Sequence, residues 1–320
     1  MKKKNEKNKM IKIVAVGGPT ASGKTAASLK LAREFNGVII SCDSRQIYRE
    51  LDIATDKIPY SLPYHDPINF GEIDHYGINI AQADKIFSLY DWQVYANKVI
   101  KKIVKDGKIP FLVGGTGLYI QAIIDGYNLE NDFDPKLREE LNTLTLLELQ
   151  KRLKSLDPTA LEKIDGNNPR RVMRAVEKLS NRDQVLDTRC QVLGKGVKIE
   201  TRNYSSLVLS FAPLREVIKK KIIDRVEEHI KNGVLDEVKE LVKKYGADNQ
   251  ILNSTISIQE YIPYVLGKIS LADAKKQVVI NNYHYAKRQM TWFRKYGNTV
   301  FCEDFGMMRE RVKKHLKCLR

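Results

Sequence analysis

Eight consecutive residues near the amino terminus, Gly18-Pro19-Thr20-Ala21-Ser22-Gly23-Lys24-Thr25, have the types and spacing to hold a chain of phosphates. They fit G-x-x-x-x-G-K-[ST]. The glycines let the backbone fold back so that successive N–H groups point inward, and the lysine neutralises phosphate oxygens. Thr25 is placed to ligate a magnesium ion that bridges those phosphates. A β-branched run from Ile11 to Val16 precedes the loop, and a helix-compatible stretch from Ala26 to Phe35 follows it. That strand-loop-helix context counts against the plainer alternative, a chance glycine turn, because a helix amino terminus adds partial positive charge at the loop. The pattern specifies a di- or triphosphate ligand and is silent on the reaction.

Two other stretches carry candidate chemistry. A second strand, Val38 to Cys42, runs into Asp43-Ser44-Arg45-Gln46-Ile47-Tyr48 and puts a carboxylate at the ligand edge of the sheet. Such an acid organises magnesium in a kinase, or accepts a proton from the attacking group in a transferase. Capping of a following turn by Asp43 or Ser44 is compatible with both. A third strand, Ile109 to Val113, leads into Gly114-Gly115-Thr116-Gly117-Leu118-Tyr119, where glycines permit close backbone approach and the Thr116 hydroxyl can contact a substrate.

The elements that must position these residues follow from the apolar pattern. Strands alternating with helices imply a parallel sheet with ligands at the carboxyl ends of the strands. A Pro-, Asp- and Tyr-rich connection spans Pro59 to Tyr76, and a helix is expected over Tyr90 to Lys105. From Asp134 the pattern turns charged and helical, with Leu137, Leu141, Leu144, Leu147 and Leu153 supplying an apolar face. A β-type run returns at Leu207 to Phe211, before helices over Arg215 to Lys231, Leu235 to Lys244 and Asp273 to Lys295. The expected fold class is α/β: a P-loop parallel sheet flanked by helices, with an inserted all-helical subdomain. The expected boundaries are 1–130 for the first part of the core, 131–198 for the insertion and 199–320 for the remainder.

Composition limits the function classes. A chain of 320 residues that is 42% hydrophobic buries a substantial core. No run is apolar enough to cross a bilayer and the lysine-rich start has no apolar segment behind it, so a cytoplasmic protein without a membrane partner is expected. The four cysteines lack C-x-x-C spacing, which points to reduced thiols rather than zinc or disulfides. A net charge of +16 favours an anionic partner, with nucleic acid first, against the alternative of a merely basic solvated surface.

The three glycine- and aspartate-bearing stretches, in this order, resemble the tRNA dimethylallyltransferase (tRNA isopentenyltransferase) family. Asp43-Ser44-Arg45-Gln46-Ile47-Tyr48 is similar to its D-S-x-Q-x-Y segment and Leu112 to Tyr119 to its L-V-G-G-T-G-L-Y. Asn168 to Ala175 resembles the arginine-bearing helix of the family's insertion, and Tyr285-Ala286-Lys287-Arg288-Gln289-Met290-Thr291-Trp292-Phe293-Arg294 its carboxyl-terminal A-K-R-Q-x-T-W-F-R. The resemblance implies that the loop Gly18 to Thr25, with Mg2+ on Thr25, holds dimethylallyl diphosphate. The acceptor it implies is the N6 amine of the adenosine 3′ of the anticodon in tRNA, flipped out of its stack to reach the site. Asp43 would be the general base, with Thr20 and Arg225 as further catalytic residues, although Arg215 and Lys221 compete for the arginine's role. The implied contacts to the tRNA anticodon stem-loop come from Asp43, Ser44, Arg45, Gln46, Thr116, Arg138, Arg170, Arg171, Val172, Met173, Arg174, Lys287 and Arg288. A monomer is expected.

Plainer readings stand beside these. Arg170, Arg171 and Arg174 share a helix face that can grip backbone phosphates, or they can pair with Glu177 and its neighbours. Trp292 is either a stacking platform for RNA or core. The chain departs from the family at Glu50 and Ala54, where glycine is common, at Ser254 to Glu260, which replaces A-I-G-Y-K-E, and in Phe87 to Trp92. A P-loop small-molecule kinase would share the loop and Asp43 but give no reason for the arginine helix or the basic-aromatic carboxyl-terminal segment. An RNA-binding protein with a regulatory nucleotide site is a third class, in which Asp43 would be dispensable.

Overall fold

A computed structural model describes residues 10–127, 135–180, 204–211 and 213–317. The described residues form two compact units, one within Met1–Tyr127 plus Thr201–Arg320 and the other within Asn128–Glu200.

The first unit is built on a seven-stranded sheet. Its strands are β1 (Ile11–Gly17), β2 (Gly37–Ser41), β3 (Ile68–Phe70), β4 (Ile73–Tyr76), β5 (Ile109–Gly114), β6 (Tyr204–Phe211) and β7 (Thr299–Cys302), in the spatial order β3-β4-β2-β5-β1-β6-β7. Every pairing is parallel except β3 with β4. Helices α1 (Lys24–Glu34), α2 (Leu89–Lys105), α3 (Gly117–Ile124), α7 (Arg215–Lys231), α8 (Val234–Tyr245), the short α9 (Ile262–Val265), α10 (Leu271–Lys295) and α11 (Phe305–Lys317) complete it.

The central strands read as largely apolar runs because both faces of the sheet are covered. Alternate residues enter opposite cores: Ile13, Ala15, Val38, Ile40, Leu112 and Val208 pack with α2, α3, α8 and α10, whereas Val14, Val16, Ile39, Phe111, Val113 and Leu209 pack with α1 and α11. Helix α2 starts at a reciprocal cap: Asp91 N–H donates to Ser88 Oγ at 3.2 Å, and Ser88 N–H donates to Asp91 Oδ2 at 2.9 Å. Asp91 therefore starts a helix and Trp92, fully buried, stacks on Tyr119 with ring centroids 4.5 Å apart.

Two features differ from the expected organisation. The connection over Pro59 to Tyr76 contains the hairpin β3–β4, so Ile109–Gly114 is the fifth strand in chain order and the sheet is mixed at that edge. Its two-residue turn, Gly71-Glu72, has φ of 58° and 66°, the pair of positive values that suits a tight hairpin. Beyond the last expected helix, β7 adds a parallel strand to β6 and α11 covers the far face.

The second unit is all helical among its described residues: α4 (Pro135–Asn142), α5 (Leu146–Leu156), a 3-10 turn (Ala160–Lys163) and α6 (Pro169–Ser180). Leu141, Leu149, Leu153, Val172, Met173 and Val176 form its core.

Candidate active site

The P-loop joins β1 to α1, and its backbone reverses through left-handed conformations at Gly18, Ala21 and Gly23, with φ of 136°, 61° and 85°. A non-glycine residue held there is strain of the kind that ligand-binding loops carry. The Ser22 hydroxyl is buried without a hydrogen-bond partner among the described residues, as expected of a cradle built for an oxyanion.

Thr20, Lys24, Thr25, Ser28, Asp43, Gln46, Asp56 and Arg225 line one cleft at the carboxyl ends of β1, β2 and β5. Lys24 Nζ donates to Pro19 O at 3.2 Å. Burial first, and then the charge of Arg225, pull the Lys24 ammonium down to about 8, with Asp43 and Asp56 opposing the shift. The oxygen donors Thr25 and Asp43 in the same cleft suit a small hard cation, which binds through one or two protein oxygens and the phosphates of its substrate.

Asp43 Oδ1 accepts the backbone N–H of Arg45 at 2.8 Å and of Gln46 at 3.4 Å, so one carboxylate oxygen holds the turn after β2. Among the described residues no hydrogen bond reaches Oδ2. The second glycine turn is clipped to this one: Thr116 N–H donates to Cys42 O at 3.0 Å, and Thr116 Oγ1 accepts Ser44 N–H at 3.1 Å. Tyr285 lies beside both, its phenol pushed up to about 12 by burial and by the charge of Asp43.

Gln289 on α10 ties the two glycine loops together. Its Oε1 accepts Thr20 N–H at 2.8 Å and its Nε2 donates to Gly115 O at 3.0 Å. A Cβ on Gly115 would stand 2.0 Å from Gln289 Nε2, and one on Gly117 2.1 Å from the Trp292 ring. Gly115 and Gly117 thus make room for the approach of α10, whereas Gly114 makes room for the Cys42 backbone. Trp292 also stacks on Tyr296 at 5.0 Å and meets Phe293 edge-on at 4.9 Å, which makes it a packing wedge.

The structure separates the candidate arginines. Arg225 lines the cleft and its Nη1 reaches both Thr20 Oγ1 and, at 2.7 Å, Asp56 Oδ2. Arg215 and Lys221 on the same helix are exposed and do not line it. Gln46 turns away from a free role: its Nε2 donates to Thr55 O at 3.0 Å and Asp56 O at 3.2 Å. Arg45 is half-buried, and Lys287 and Arg288 are exposed, with the Arg288 guanidinium 5.7 Å from the Tyr285 ring centre.

In the helical unit, Arg170 and Arg171 are exposed, whereas Val172 and Met173 are buried. This differs from the expectation that all four contact RNA, because a 3.6-residue period turns 172, 173 and 176 inward. Arg138 and Arg174 converge on the fully buried Glu177, Arg138 through Nε and, at 2.6 Å, Nη2, and Arg174 at 3.3 Å. For these two the pairing that competes with RNA contact is present. Arg171 lies 4.0 Å from Asp165.

Four residues of the site lie outside the expected site residues: Asp56, His229, Glu237 and Gln289. The Glu237 carboxylate accepts the backbone N–H groups of Asp52, Ile53 and Ala54 at 2.9, 2.7 and 3.1 Å, which fixes the loop that carries Asp56. His229 Nε2 lies 2.8 Å from Asp56 Oδ1. The signal that was present is modest: Gln289 stands inside the R-Q-x-T-W segment, and His229 follows Arg225 by four residues, on the same helix face.

The glycine-rich loop between β1 and α1, with Asp43 and Arg225 lining the same cleft, stands at the carboxyl edge of one largely parallel sheet, which makes this an α/β protein. The model of the IPP transferase family matches residues 46–296, and the chain belongs to that family. It is 35% identical to a tRNA dimethylallyltransferase of Thermoanaerobacter sp. (strain X514) over 97% of this chain and 98% of the relative. It is 37% identical to that of Staphylococcus saprophyticus over 88% of each chain. Among solved structures, the full-length tRNA isopentenylpyrophosphate transferase from Bacillus halodurans superposes with a TM-score of 0.68 at 32% identity, covering 96% of this chain and 97% of that one. No described helix is long and apolar enough to cross a membrane.

Proposed function

We propose that the chain transfers the dimethylallyl group of dimethylallyl diphosphate to N6 of the adenosine 3′ of the anticodon in tRNA, releasing diphosphate. The observation that carries this reading is one cleft lined by Asp43 and Lys24 together with Thr20, Thr25 and Arg225.

The adenine N6 lone pair is delocalised into the ring, so the amine is a weak nucleophile and gains from a base that removes its proton. Asp43 suits that part: Oδ1 is fixed by two backbone N–H groups and Oδ2 is left to accept the proton. N6 bonds to C1 of the allyl group as the C1–O bond breaks, and the diphosphate leaves with the electron pair. Backbone N–H groups of the loop, Lys24 and Arg225 stabilise the charge that gathers on that oxygen. Arg225, already seated on Thr20 of the loop, would act on the leaving group. A magnesium ion held by the Thr25 hydroxyl and diphosphate oxygens would add charge neutralisation there. Arg170 and Arg171 of the helical unit are exposed, and in this reading they contact backbone phosphates of the RNA.

The test is direct. The protein is incubated with labelled dimethylallyl diphosphate, magnesium and unfractionated tRNA, and the RNA is digested to nucleosides. A labelled adenosine derivative supports the reading; ATP turnover on a small acceptor with unlabelled RNA replaces it with a kinase.

A further inference from the structure

Asp56 stands in the cleft beside the phosphate loop, where a second negative charge works against holding an anion. Its surroundings are nevertheless built around it. Oδ2 accepts Arg225 Nη1 at 2.7 Å and Oδ1 faces His229 Nε2 at 2.8 Å, two residues one helical turn apart on α7. The same Arg225 Nη1 reaches the Thr20 hydroxyl, so the guanidinium is fixed from the loop and from the carboxylate at once.

The carboxylate itself is anchored. Asp56 has a φ of 51°, and its carbonyl accepts Gln46 Nε2 at 3.2 Å. The residues before it are held by Glu237 through three backbone N–H groups. The loop therefore has no slack through which Asp56 can follow a wandering arginine. An arginine side chain left alone has many rotamers, and ordering it when the ligand arrives weakens binding. A guanidinium ordered beforehand offers its donor fork to phosphate oxygens without that loss.

We propose that Asp56 is a positioning residue that aims Arg225 at the phosphate loop, with His229 bracing the carboxylate in that pose. The inference rests on the reading that the loop holds the diphosphate of the prenyl donor. It accounts for an acid in an anion site: the adverse charge is offset by the order it imposes on the arginine. Burial raises the Asp56 carboxyl, but the His229 hydrogen bond and the charges of Arg225 and Lys24 bring it below its ordinary value, so the acid is anionic in that role.

The opposing account treats Asp56 as a repelling charge only, and the two differ in sign. Binding of inorganic pyrophosphate with magnesium is measured by calorimetry for the wild-type chain, Asp56→Ala, Asp56→Asn, Arg225→Ala and the double variant Asp56→Ala with Arg225→Ala. The KM for dimethylallyl diphosphate and for tRNA is measured alongside. For Asp56→Ala the proposal expects pyrophosphate affinity to fall about 10- to 100-fold and the donor KM to rise in parallel. The KM for tRNA should hold within about twofold, since it does not depend on the aim of Arg225. Asp56→Asn, which keeps the size and loses the charge, should give an intermediate loss and stands in if the alanine variant fails to fold. In the Arg225→Ala background Asp56→Ala should cost nothing further. Tighter or unchanged binding in the Asp56 variants, or losses that add in the double variant, overturns the proposal. A wild-type chain that binds neither pyrophosphate nor the donor would instead sink the proposed function, and this inference with it.

Discussion

Gln289→Leu removes both hydrogen bonds that tie the phosphate loop to the second glycine turn while nearly preserving side-chain volume. The two groups left behind are not equivalent. Gly115 is buried and its carbonyl would stay dry, which costs about 1–3 kcal/mol, whereas Thr20 is half-buried and its N–H can turn to water, for about 1 kcal/mol. The sum, about 2–4 kcal/mol, is a large share of the roughly 5–15 kcal/mol that stabilises a typical domain. Calorimetry should show the unfolding temperature down by roughly 4–16 °C. Pyrophosphate affinity should fall as well, because Thr20 N–H belongs to the loop proposed to receive the ligand. Saturating pyrophosphate with magnesium should recover part of the lost unfolding temperature by reordering the loop. Lys287→Ala, exposed on the same helix, should change neither quantity. A leucine variant that melts and binds like the wild type would show that the link between the loops is incidental and would refute the reasoning.

Three further expectations test the site. Asp43→Ala should lower transfer by about 100-fold or more while leaving pyrophosphate binding within about threefold, read by single-turnover kinetics with labelled donor; undiminished turnover removes Asp43 as the base. Diphosphate affinity should be level below pH 8 and fall as the pH rises past it, because Lys24, lowered to about 8 by burial and Arg225, loses its proton there and the ligand binds the charged form. For the unliganded fold the sign is opposite: the folded chain holds this proton less firmly than the unfolded chain, so the Lys24 contribution to stability grows from about pH 8 toward 10.5. Calorimetric affinity that stays flat from pH 7 to 10 would remove Lys24 as a charged ligand. Arg170 and Arg171 changed together to alanine should weaken tRNA binding and reduce the slope of log affinity against log salt by about 1–2, measured by filter binding; an identical slope returns them to the solvated surface.

The residues proposed to touch ligand are more legible in the sequence than the residues that hold them. Gly18 to Thr25 is legible because a phosphate loop is a local device: its glycines, its lysine and the strand and helix around it lie within about twenty-five residues. The central strands are legible for a related reason, since burial on both faces writes a largely apolar run, and β3–β4 left only the Gly71-Glu72 turn to betray a hairpin. Asp56, Glu237 and His229 carry no such signature. Each matters through a partner more than 170 positions away, and an isolated acid in a loop or histidine on a helix has many plainer uses. Trp292 shows the same limit from the other side, because its basic neighbours suit an RNA-stacking surface while its ring fills the space that Gly117 leaves open.

A common physical reason joins these cases. In an α/β sheet the catalytic loops hang from the carboxyl ends of strands and have little packing of their own, so elements from elsewhere in the chain must fix their positions. Here α10 reaches the loops through Gln289, and α7 reaches them through Arg225, which contacts both Thr20 and Asp56. The two braces meet at Thr20, whose N–H is held from α10 and whose hydroxyl is held from α7. Thr20 is the point at which disturbance of either helix would enter the proposed diphosphate site, which is why variants of Gln289 and of Asp56, from opposite sides, should produce the same defect in ligand affinity.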